Sequence, residues 1–307
     1  MDRSPQGTVF LKTDFIKSLS IGYKMHVVYK GDKPVAGCVV LLDEKGSAAR
    51  SPYSFVPYQG FFFIADDNEE AVLNHKAIFN QFKITEYFIE YLLDTYGRLS
   101  QTHFGLEDYR PFLWYNYHSP EKGLFMLNLS YTTVLDIQKY ATLEEYLRST
   151  STLRRREHNK AQKGGVELRE LKHDDLNVLF DLHIQTFKRQ GLDVSSGEQL
   201  LVRSIASSAL KKGYGRLTAA FMNGVPVSAI LYLLDKKRGY YLIGANDPAF
   251  RDTSASTLLF VENIWRCKID GLKEVDFVGC NSPQRGDYKL SFNGRLVPCF
   301  ETHFNIS

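Results

Sequence analysis

The sequence has few cysteines, little net charge and no long hydrophobic run. A net charge of +3 argues against a polybasic chain that binds nucleic acid along its whole surface. No run approaches the length of a membrane span, and the first residues lack the apolar core of a signal peptide. The four cysteines are scattered without paired spacing, which argues against a zinc site: Cys38, Cys267, Cys280 and Cys299. We therefore expect a cytoplasmic protein with reduced thiols, no bound metal and no membrane span.

Glycine-rich nucleotide-binding motifs are missing as well. Neither G-x-G-x-x-G nor a Walker sequence occurs, so dinucleotide binding and P-loop chemistry have no support. The composition, with 44% hydrophobic and 24% charged residues, is that of a globular protein rather than a disordered one. A length of 307 residues gives room for two domains of ordinary size.

One stretch of the chain occurs twice, 192 positions apart and without a gap. Residues 24–30 and 34–46 correspond to residues 216–222 and 226–237. In each copy, two apolar runs flank a turn that contains Gly-Asp or Asn-Gly, which is typical of a β-hairpin. A hairpin repeated at this distance indicates a duplicated domain rather than a short-period solenoid.

The pattern of elements divides the chain into three parts: an N-terminal domain (1–136), bridging helices (137–165) and a C-terminal domain (166–307). After its hairpin, the first domain is expected to contain a buried strand at 61–64, a helix over 69–97 with a possible break near Ile84, and strands at 101–106, 111–118 and 124–136. The second is expected to contain strands at 166–171, 215–222, 226–235, 239–245, 273–279 and 297–305, and helices at 174–190, 197–212 and 254–270. Adjacent hairpins mixed with helices favour a mixed α/β sheet over a doubly wound parallel one.

The loop between the strand at 239–245 and the following helix is the first candidate site. Its small side chains allow close approach, and the exposed N–H groups of a helix N-terminus suit a pyrophosphate. An ordinary strand–helix connection with a Ser/Thr cap explains the same local pattern. The sequence of this loop alone leaves both interpretations open.

The order strand, turn, strand, strand, then Arg-x-x-Ser-Ala-Ser at a helix start resembles the GNAT acyltransferase fold. In that family an Arg/Gln-x-x-Gly-x-Gly/Ala loop cradles the pyrophosphate of acyl-CoA. Arg251, Ser254 and Ser256 fall on its three signature positions, with serine in place of both glycines. The duplicated hairpin, the basic bridging helix and the segments 276–279 and 288–294 are similar to the tandem branch of that family. This branch includes FemAB-like aminoacyl ligases and acyl-CoA-dependent N-acyltransferases of nucleotide-linked amino sugars.

The resemblance implies two tandem GNAT-like domains, of which the second binds acyl-CoA as cosubstrate. The donor-binding residues that it implies are Gly244, Ala245, Asn246, Arg251, Thr253, Ser254, Ala255 and Ser256. Backbone N–H groups around Gly244 would polarise the thioester. The first copy instead has an aromatic loop and an acidic stretch at 66–70 that repels pyrophosphate. The first domain is therefore expected to have lost cofactor binding and to help form the acceptor site.

The bridging region carries a basic helix that is the main candidate for acceptor phosphates. Thr142 and Ser151 are typical helix caps, and Gly164 ends the second helix. Arg156, Lys160 and Lys163 share one face of that helix, and Asn159 lies beside them, where it would contact a base or sugar. A solvated charged face and a short RNA-binding patch remain as alternatives.

An aromatic run at 108–118 is the second acceptor candidate. A strand there would place Trp114, Asn116 and His118 on one face and Tyr115 and Tyr117 on the other. These rings suit stacking on a base or sugar, with core packing as the alternative. The remaining acceptor-side candidates are Tyr58, Gln59, Tyr241 and Lys289, the last of which would hold a phosphate.

N-acyl transfer needs a neutral amine, a polarised carbonyl and an acceptor for one proton. Direct attack requires no covalent enzyme intermediate, and the sequence contains no nucleophile elbow. The candidate bases are Asp276, near the end of its strand, and His118 in the other domain. A structural role is the alternative for a lone histidine.

These observations lead to a prediction with two alternatives. The predicted activity moves an acetyl or hydroxybutanoyl group from acyl-CoA to the amino group of a nucleotide-linked sugar, such as a dTDP-3-amino-3,6-dideoxyhexose in O-antigen synthesis. The first alternative is a FemAB-like transferase of cell-wall peptide synthesis, the one case that brings in tRNA as a partner. The second is a non-catalytic binding module, which the loss of both loop glycines favours.

Overall fold

The computed structural model describes residues 2–64, 75–189, 191 and 195–305 and contains two compact units. One unit comprises residues 1–130 and 298–307, and the other comprises residues 131–297. The C-terminal residues, assigned from the sequence to the second domain, thus group with the first unit, and the bridging helices group with the second.

The first unit contains a three-stranded antiparallel sheet in the order β1-β2-β3, with a long helix packed on one face. Its elements are α1 (Thr13–Ser18), β1 (Gly22–Lys30), β2 (Lys33–Leu42), β3 (Phe62–Phe63), α2 (His75–Tyr96), β4 (Ser100–His103), α3 (Arg110–Trp114) and the first part of β5 (Leu124–Asp136). β4 pairs with residues Phe300–His303 of β11 (Arg295–Asn305). Helix α2 buries Phe88, Ile89 and Leu92 at helical spacing, which forms the core with the sheet.

The second unit is built on a mixed sheet, as the sequence predicted. Its elements are the end of β5, α4 (Leu143–Ser149), α5 (Thr152–Lys163), β6 (Glu167–Leu171), α6 (Leu176–Arg189), α7 (Ser196–Lys212), β7 (Gly215–Met222), β8 (Val225–Leu234), β9 (Arg238–Asn246), α8 (Ala255–Ile269), β10 (Glu274–Asp276) and α9 (Pro283–Leu290). The strand order is β5-β10-β9-β8-β7-β6. Of the pairings described, β9–β10 is parallel and the others are antiparallel.

The two predicted hairpins are both present, and they share one irregularity. β1 pairs with β2, and β7 pairs with β8. In the first hairpin the ladder skips Val35, and in the second it skips Val227, which is the position 192 residues later. A bulge at the same position of two hairpins is a feature that related sequences keep. The predicted duplication is therefore confirmed by the register of the strands as well as by their sequence.

The predicted strand at 111–118 is wrong, because this segment begins with helix α3. Pro111 occupies the first turn of that helix, where its fixed φ is favourable. The chain then turns at Asn116, whose φ of 55° lies in the left-handed region that asparagine tolerates. The alternation that would have placed Trp114, Asn116 and His118 on one strand face therefore does not occur.

Other predicted elements of the first unit need smaller changes. The helix expected over 69–97 is described from His75 to Tyr96, and it continues without a break at Ile84. The acidic stretch at 66–70 lies outside the described residues.

Helix α9 in the second unit was not predicted from the sequence.

The bridging helices begin and end where the sequence predicted. The Thr142 hydroxyl accepts the Glu145 N–H at the start of α4, and the Ser151 hydroxyl accepts the Arg154 N–H at the start of α5. Helix α5 ends at Lys163, directly before Gly164. It packs on α8 and buries His158 and Ala161, so its other side is left to solvent.

Candidate active site

An opening between β9 and β10 is the centre of the candidate site. The two strands pair only as far as Tyr240 and Asp276, although β9 continues to Asn246. After Asp276 the chain stays beside β5, because the Phe277 N–H donates to the Thr133 carbonyl and the Cys280 N–H donates to that of Tyr131. The second half of β9 therefore has a free edge on this side within the part of the chain that is described.

The free edge of β9 presents backbone N–H groups, but not all of them are available. The Asn246 N–H donates to the Thr186 hydroxyl at 2.9 Å, and the Asn246 carbonyl accepts from the same hydroxyl at 3.1 Å. In an antiparallel ladder the backbone groups of alternate residues point the same way, so those of Gly244 also face the opening. The backbone groups of Ala245 point to β8. Of the three backbone donors expected from the sequence, Gly244 is the one directed into the opening without a described partner.

A tight turn follows β10 and closes the other side of the opening. One Asp276 oxygen accepts the Thr132 hydroxyl at 2.6 Å and the Val278 N–H at 2.8 Å. The Thr132 hydroxyl in turn accepts the Gly279 N–H at 3.2 Å. Val278 has a φ of 51°, which is strained for a β-branched residue. The fully buried Asp276 therefore holds the backbone of this turn in an unusual conformation.

The turn directs two carbonyl groups at the side chain of Lys289. Its Nζ donates to the Val278 carbonyl at 2.5 Å and to the Gly279 carbonyl at 2.6 Å. Burial lowers the pKa of Lys289 to about 8, although the charge of Asp276 acts in the opposite direction. A buried amine with a pKa near neutrality can exchange a proton with a reacting group at physiological pH.

Tyr241 connects Lys289 with the free edge of β9. The Lys289 Nζ lies 5.4 Å from the centre of the Tyr241 ring. At the other end of this side chain, the hydroxyl lies so close to Gly244 that a methyl group there would overlap it. Burial raises the pKa of Tyr241, so its hydroxyl stays protonated and can donate a hydrogen bond. Lys289, Tyr241 and Gly244 therefore form a row in which the amine lies over the tyrosine ring and the hydroxyl lies at Gly244.

An aromatic cluster supports this row. Phe260 of α8 is fully buried, and its ring centre lies 4.7 Å from that of Tyr241 and 4.5 Å from that of Phe292. Tyr288, next to Lys289 on α9, lies within 5.0 Å of Phe292. These edge-to-face contacts fix the rings, and with them the side chains that line the opening.

The loop expected to bind pyrophosphate contains a residue in a glycine-like conformation, although it has no glycine. Ser254 adopts φ 60° and ψ 19° directly before α8, which is the left-handed conformation that glycine adopts without strain. The Thr253 hydroxyl accepts the Ala255 N–H, and the Ser254 carbonyl accepts those of Thr257 and Leu258. Most N–H groups of the first helical turn thus have acceptors within the chain, and Arg251 is exposed beside them.

A carboxylate of the protein itself lies at this helix start. Glu157 of α5 accepts the Thr257 hydroxyl at 2.7 Å and an Arg154 N–H at 2.5 Å. Arg154 also donates to Ser291 at 2.8 Å and lies 4.7 Å from the ring centre of Tyr288. A negative charge near the N-terminus of a helix is stabilising, so Glu157 contributes to the stability of this helix start.

Replacing Ser254 with glycine is expected to raise the free energy of unfolding by up to about 1 kcal/mol. The change removes the strain of a left-handed serine, partly offset by the greater freedom of glycine in the unfolded chain. Urea unfolding measures the effect. Ser256→Gly is the matched control, since it lies within α8 and should lose about 0.5–1 kcal/mol. Equal losses in both variants would contradict the strain at Ser254.

The basic face of α5 is where the sequence placed it. Arg156, Asn159, Lys160 and Lys163 are all exposed. Glu157 is turned toward α8 and does not neutralise them, because it is paired with Arg154. The face therefore offers three neighbouring cations to an anionic ligand.

The candidates of the first unit have different surroundings. Tyr58 and Gln59 are buried; the Tyr58 ring packs on Phe10 and Phe104, and the Gln59 amide donates to a backbone carbonyl of β2. Both therefore belong to the core of that unit.

The aromatic run lies at the surface instead. Trp114, Tyr117 and His118 are exposed, and the Asn116 amide donates to the Gly123 carbonyl, which fixes the turn after α3.

Three residues of the site were missed from the sequence. Thr132 and Glu157 act through contacts with residues far along the chain, and no local pattern marks them. Tyr288 belongs to the segment similar to the tandem family but received no role.

Among the residues that the structure describes, no cluster of His, Cys, Asp and Glu could hold a metal ion, and no helix is long and apolar enough to cross a bilayer.

Comparison with known families agrees with this geometry. Residues 148–290 match the model of the acetyltransferase (GNAT) domain, a range that contains β9, the Ser254 loop and Lys289. A search of curated protein sequences gives no significant match.

Solved structures resemble the chain over nearly its whole length. FemX gives a TM-score of 0.72 at 12% identity, covering 98% of this chain and 93% of that one. L-PGS from Bacillus licheniformis gives 0.53 at 8%, covering 95% and 86%. A tandem GNAT protein from the clavulanic acid biosynthesis pathway gives 0.51 at 11%, covering 95% and 86%. At these identities the likeness establishes the fold.

The fold is therefore of the GNAT type. More particularly, residues 148–290 match an acetyltransferase (GNAT) domain, and the fold of the chain is that of two tandem GNAT-like domains related by duplication, as the sequence predicted.

Proposed function

We propose that the protein is an N-acyltransferase in which the amine of the acceptor attacks the donor carbonyl directly. The observation that supports this most is the row formed by Gly244, Tyr241 and the buried amine of Lys289. The new bond joins the acceptor nitrogen to the carbonyl carbon, and the bond to the leaving group breaks. The proton lost by the nitrogen passes to Lys289 and then to the leaving group.

Each residue of the row has a separate task in this proposal. The Gly244 N–H and the Tyr241 hydroxyl donate to the carbonyl oxygen as negative charge develops on it. Lys289 in its neutral form takes the proton. Asp276 is a positioning residue, because it holds the turn whose carbonyl groups bind Lys289. His118, exposed in the first unit, is the alternative base.

The donor we propose is an aminoacyl ester of tRNA, as in FemAB-like ligases, rather than acyl-CoA. A pyrophosphate bound at the start of α8 would lie near the Glu157 carboxylate, which binds Thr257 there, and the like charges would repel each other. An ester donor needs no pyrophosphate site there. The acceptor would be the amine of a nucleotide-linked cell-wall precursor, held through its phosphates by Arg156 and Lys160, with Asn159 on its base or sugar.

The second candidate is the activity predicted from the sequence. It transfers an acetyl or hydroxybutanoyl group from acyl-CoA to a nucleotide-linked amino sugar such as a dTDP-3-amino-3,6-dideoxyhexose. The match of residues 148–290 to an acetyltransferase model favours it, as does Arg251, an exposed cation beside the helix start. In this case the donor pyrophosphate would bind despite the nearby Glu157 carboxylate.

The two candidates differ in whether the wild-type protein binds CoA. We expect calorimetry to show no binding of CoA or acetyl-CoA to the wild type, and transfer to an amine acceptor from aminoacyl-tRNA. Glu157→Gln keeps a partner for Thr257 but removes the charge, so it should gain weak CoA binding. Micromolar binding of CoA by the wild type, lost in Ser254→Glu, would contradict the ester donor and support the second candidate. Absence of transfer from either donor would favour a non-catalytic binding module.

A further inference from the structure

In the second hairpin, helix α7 covers one face of strand β7. Leu217, Ala219 and Phe221 of β7 point to the same side, with exposed fractions of 0%, 0% and 8%. Helix α7 covers that side, since a methyl group at Gly215 would overlap Ala209 of the helix. The opposite side of β7 faces α8, where Asn263 donates to Thr218. The outer edge of β7 is paired with β6.

The same face of the first hairpin is exposed. The residues 192 positions earlier are Met25, Val27 and Tyr29 of β1, with exposed fractions of 48%, 43% and 60%. The exposed face of β1 corresponds to the covered face of β7, because the opposite side of each strand packs on a helix. On that side of β1, the Nε2 of His26 lies 2.8 Å from the hydroxyl of Tyr96 on α2. A set of apolar side chains that is core in one copy is therefore surface in the other.

The edge of β1 is open as well. β1 is the terminal strand of its sheet, and among the described residues no strand pairs with its outer edge. The elements described before it are a 3-10 turn, Val9–Leu11, and the short helix α1. Neither is a counterpart of β6 or α7. A nine-residue strand with unpaired backbone groups is a template for a further strand.

The charges on β1 indicate what kind of strand would fit. Lys24 and Lys30 are exposed on the α2 side of the strand, and β1 contains no acidic residue. Asp32 lies in the turn that follows. A segment paired with β1 would therefore place acidic side chains opposite the two lysines and apolar side chains over Met25, Val27 and Tyr29. Alternation of these two kinds of residue matches the pleat of a strand.

Self-pairing is less favourable than pairing with such a segment. A two-fold antiparallel pair of β1 strands centred on Val27 would align the most residues. It would also place Lys24 of each copy opposite Lys30 of the other, and like charges in that position are destabilising.

We propose that the outer edge of β1 is a docking site for an extended segment of another protein that alternates acidic and apolar residues. The segment adds to the sheet antiparallel to β1, as β6 adds to β7. Backbone hydrogen bonds provide affinity, and the two lysines with the three apolar side chains provide selectivity. The inference does not depend on which acyl donor the protein uses.

The test uses two fluorescent peptides that alternate valine with glutamate or valine with lysine. We expect the wild type to bind the glutamate peptide, and hydrogen exchange of residues 22–30 to slow in its presence. The double variant Lys24→Glu/Lys30→Glu should lose affinity for this peptide by at least about tenfold and gain it for the lysine peptide. Lys122→Glu, an exposed lysine of the same unit outside β1, is the matched control and should bind as the wild type does.

Two results would overturn the proposal. One is equal binding of the glutamate peptide by the wild type and the double variant, or no protection of residues 22–30. The other is a wild-type dimer in sedimentation that Val27→Asp converts to monomer, because the edge would then be occupied by a second copy of the chain. Val27 is exposed, so this variant is expected to fold.

Discussion

Replacing Lys289 with methionine is expected to reduce kcat about a hundredfold to ten-thousandfold, the range for loss of a general base. Methionine fills nearly the same buried volume, so the aromatic cluster around Tyr288 and Phe292 should remain packed. KM for both substrates should change little, because the proposed role of Lys289 is to take the proton during transfer rather than to bind either substrate. The measurement is steady-state kinetics of acyl transfer, with circular dichroism to verify the fold.

The charge of Lys289 and its ability to lose a proton are separated by Lys289→Arg. Arginine keeps the charge but stays protonated at any working pH, so it should be as inactive as methionine if Lys289 is the base. The wild-type kcat/KM should rise with pH and level off above a pKa of about 8, because the neutral amine is the reactive form. Activity retained by the arginine variant, or a profile without this rise, would contradict a base and indicate a purely electrostatic role.

The stability of the wild type should depend on pH in a way that the same methionine variant does not share. The pKa of Lys289 is lowered from 10.5 to about 8, so the unfolded chain binds the proton more tightly than the folded one. The wild type is therefore destabilised below pH 8 and regains stability as the pH rises toward 10.5. Urea unfolding at neutral and alkaline pH should therefore show the free energy of unfolding of the wild type rising relative to that of the methionine variant.

Local signals in the sequence were sufficient for the duplicated hairpins and the bridging helices. Turn residues, apolar alternation and Ser/Thr caps act over a few residues, so they place element ends closely. The run around Pro111 failed because its apolar residues fit both a strand and the short helix α3. Nothing local distinguished the two, and the turn at Asn116 depends on its amide bond to Gly123.

The candidate site was predictable in its residues but not in their arrangement. Tyr241, Gly244, Asp276 and Lys289 were all named from the sequence, with Lys289 assigned to a phosphate. Its burial depends on the turn that Asp276 forms with Thr132, a residue 144 positions away. Likewise, the contact of Glu157 with α8 spans 100 positions. Such contacts follow from the packing of distant segments, which a single sequence does not reveal.

Replacing Arg156 with alanine is expected to raise KM for the proposed nucleotide-linked acceptor about tenfold and to leave kcat and KM for the donor nearly unchanged. Arg156 lies on the exposed basic face of α5 with Lys160 and Lys163, and the described residues show no ion pair that would hold it. A charge-assisted hydrogen bond to phosphate contributes about 1.5–3 kcal/mol, of which the neighbouring cations recover part. The increase should shrink with added salt, because an exposed face is screened.

The matched control for this variant is Arg148→Ala. Arg148 is an exposed arginine of α4 that forms an ion pair with Glu144, and it lies outside the basic face. The Arg148→Ala variant should leave both KM values within about twofold of the wild type, as is usual for an exposed ion pair. A rise in KM for the donor alone in Arg156→Ala would assign the basic face to tRNA phosphates instead of the acceptor. Equal changes in Arg156→Ala and Arg148→Ala would show that the face is solvated and binds neither substrate.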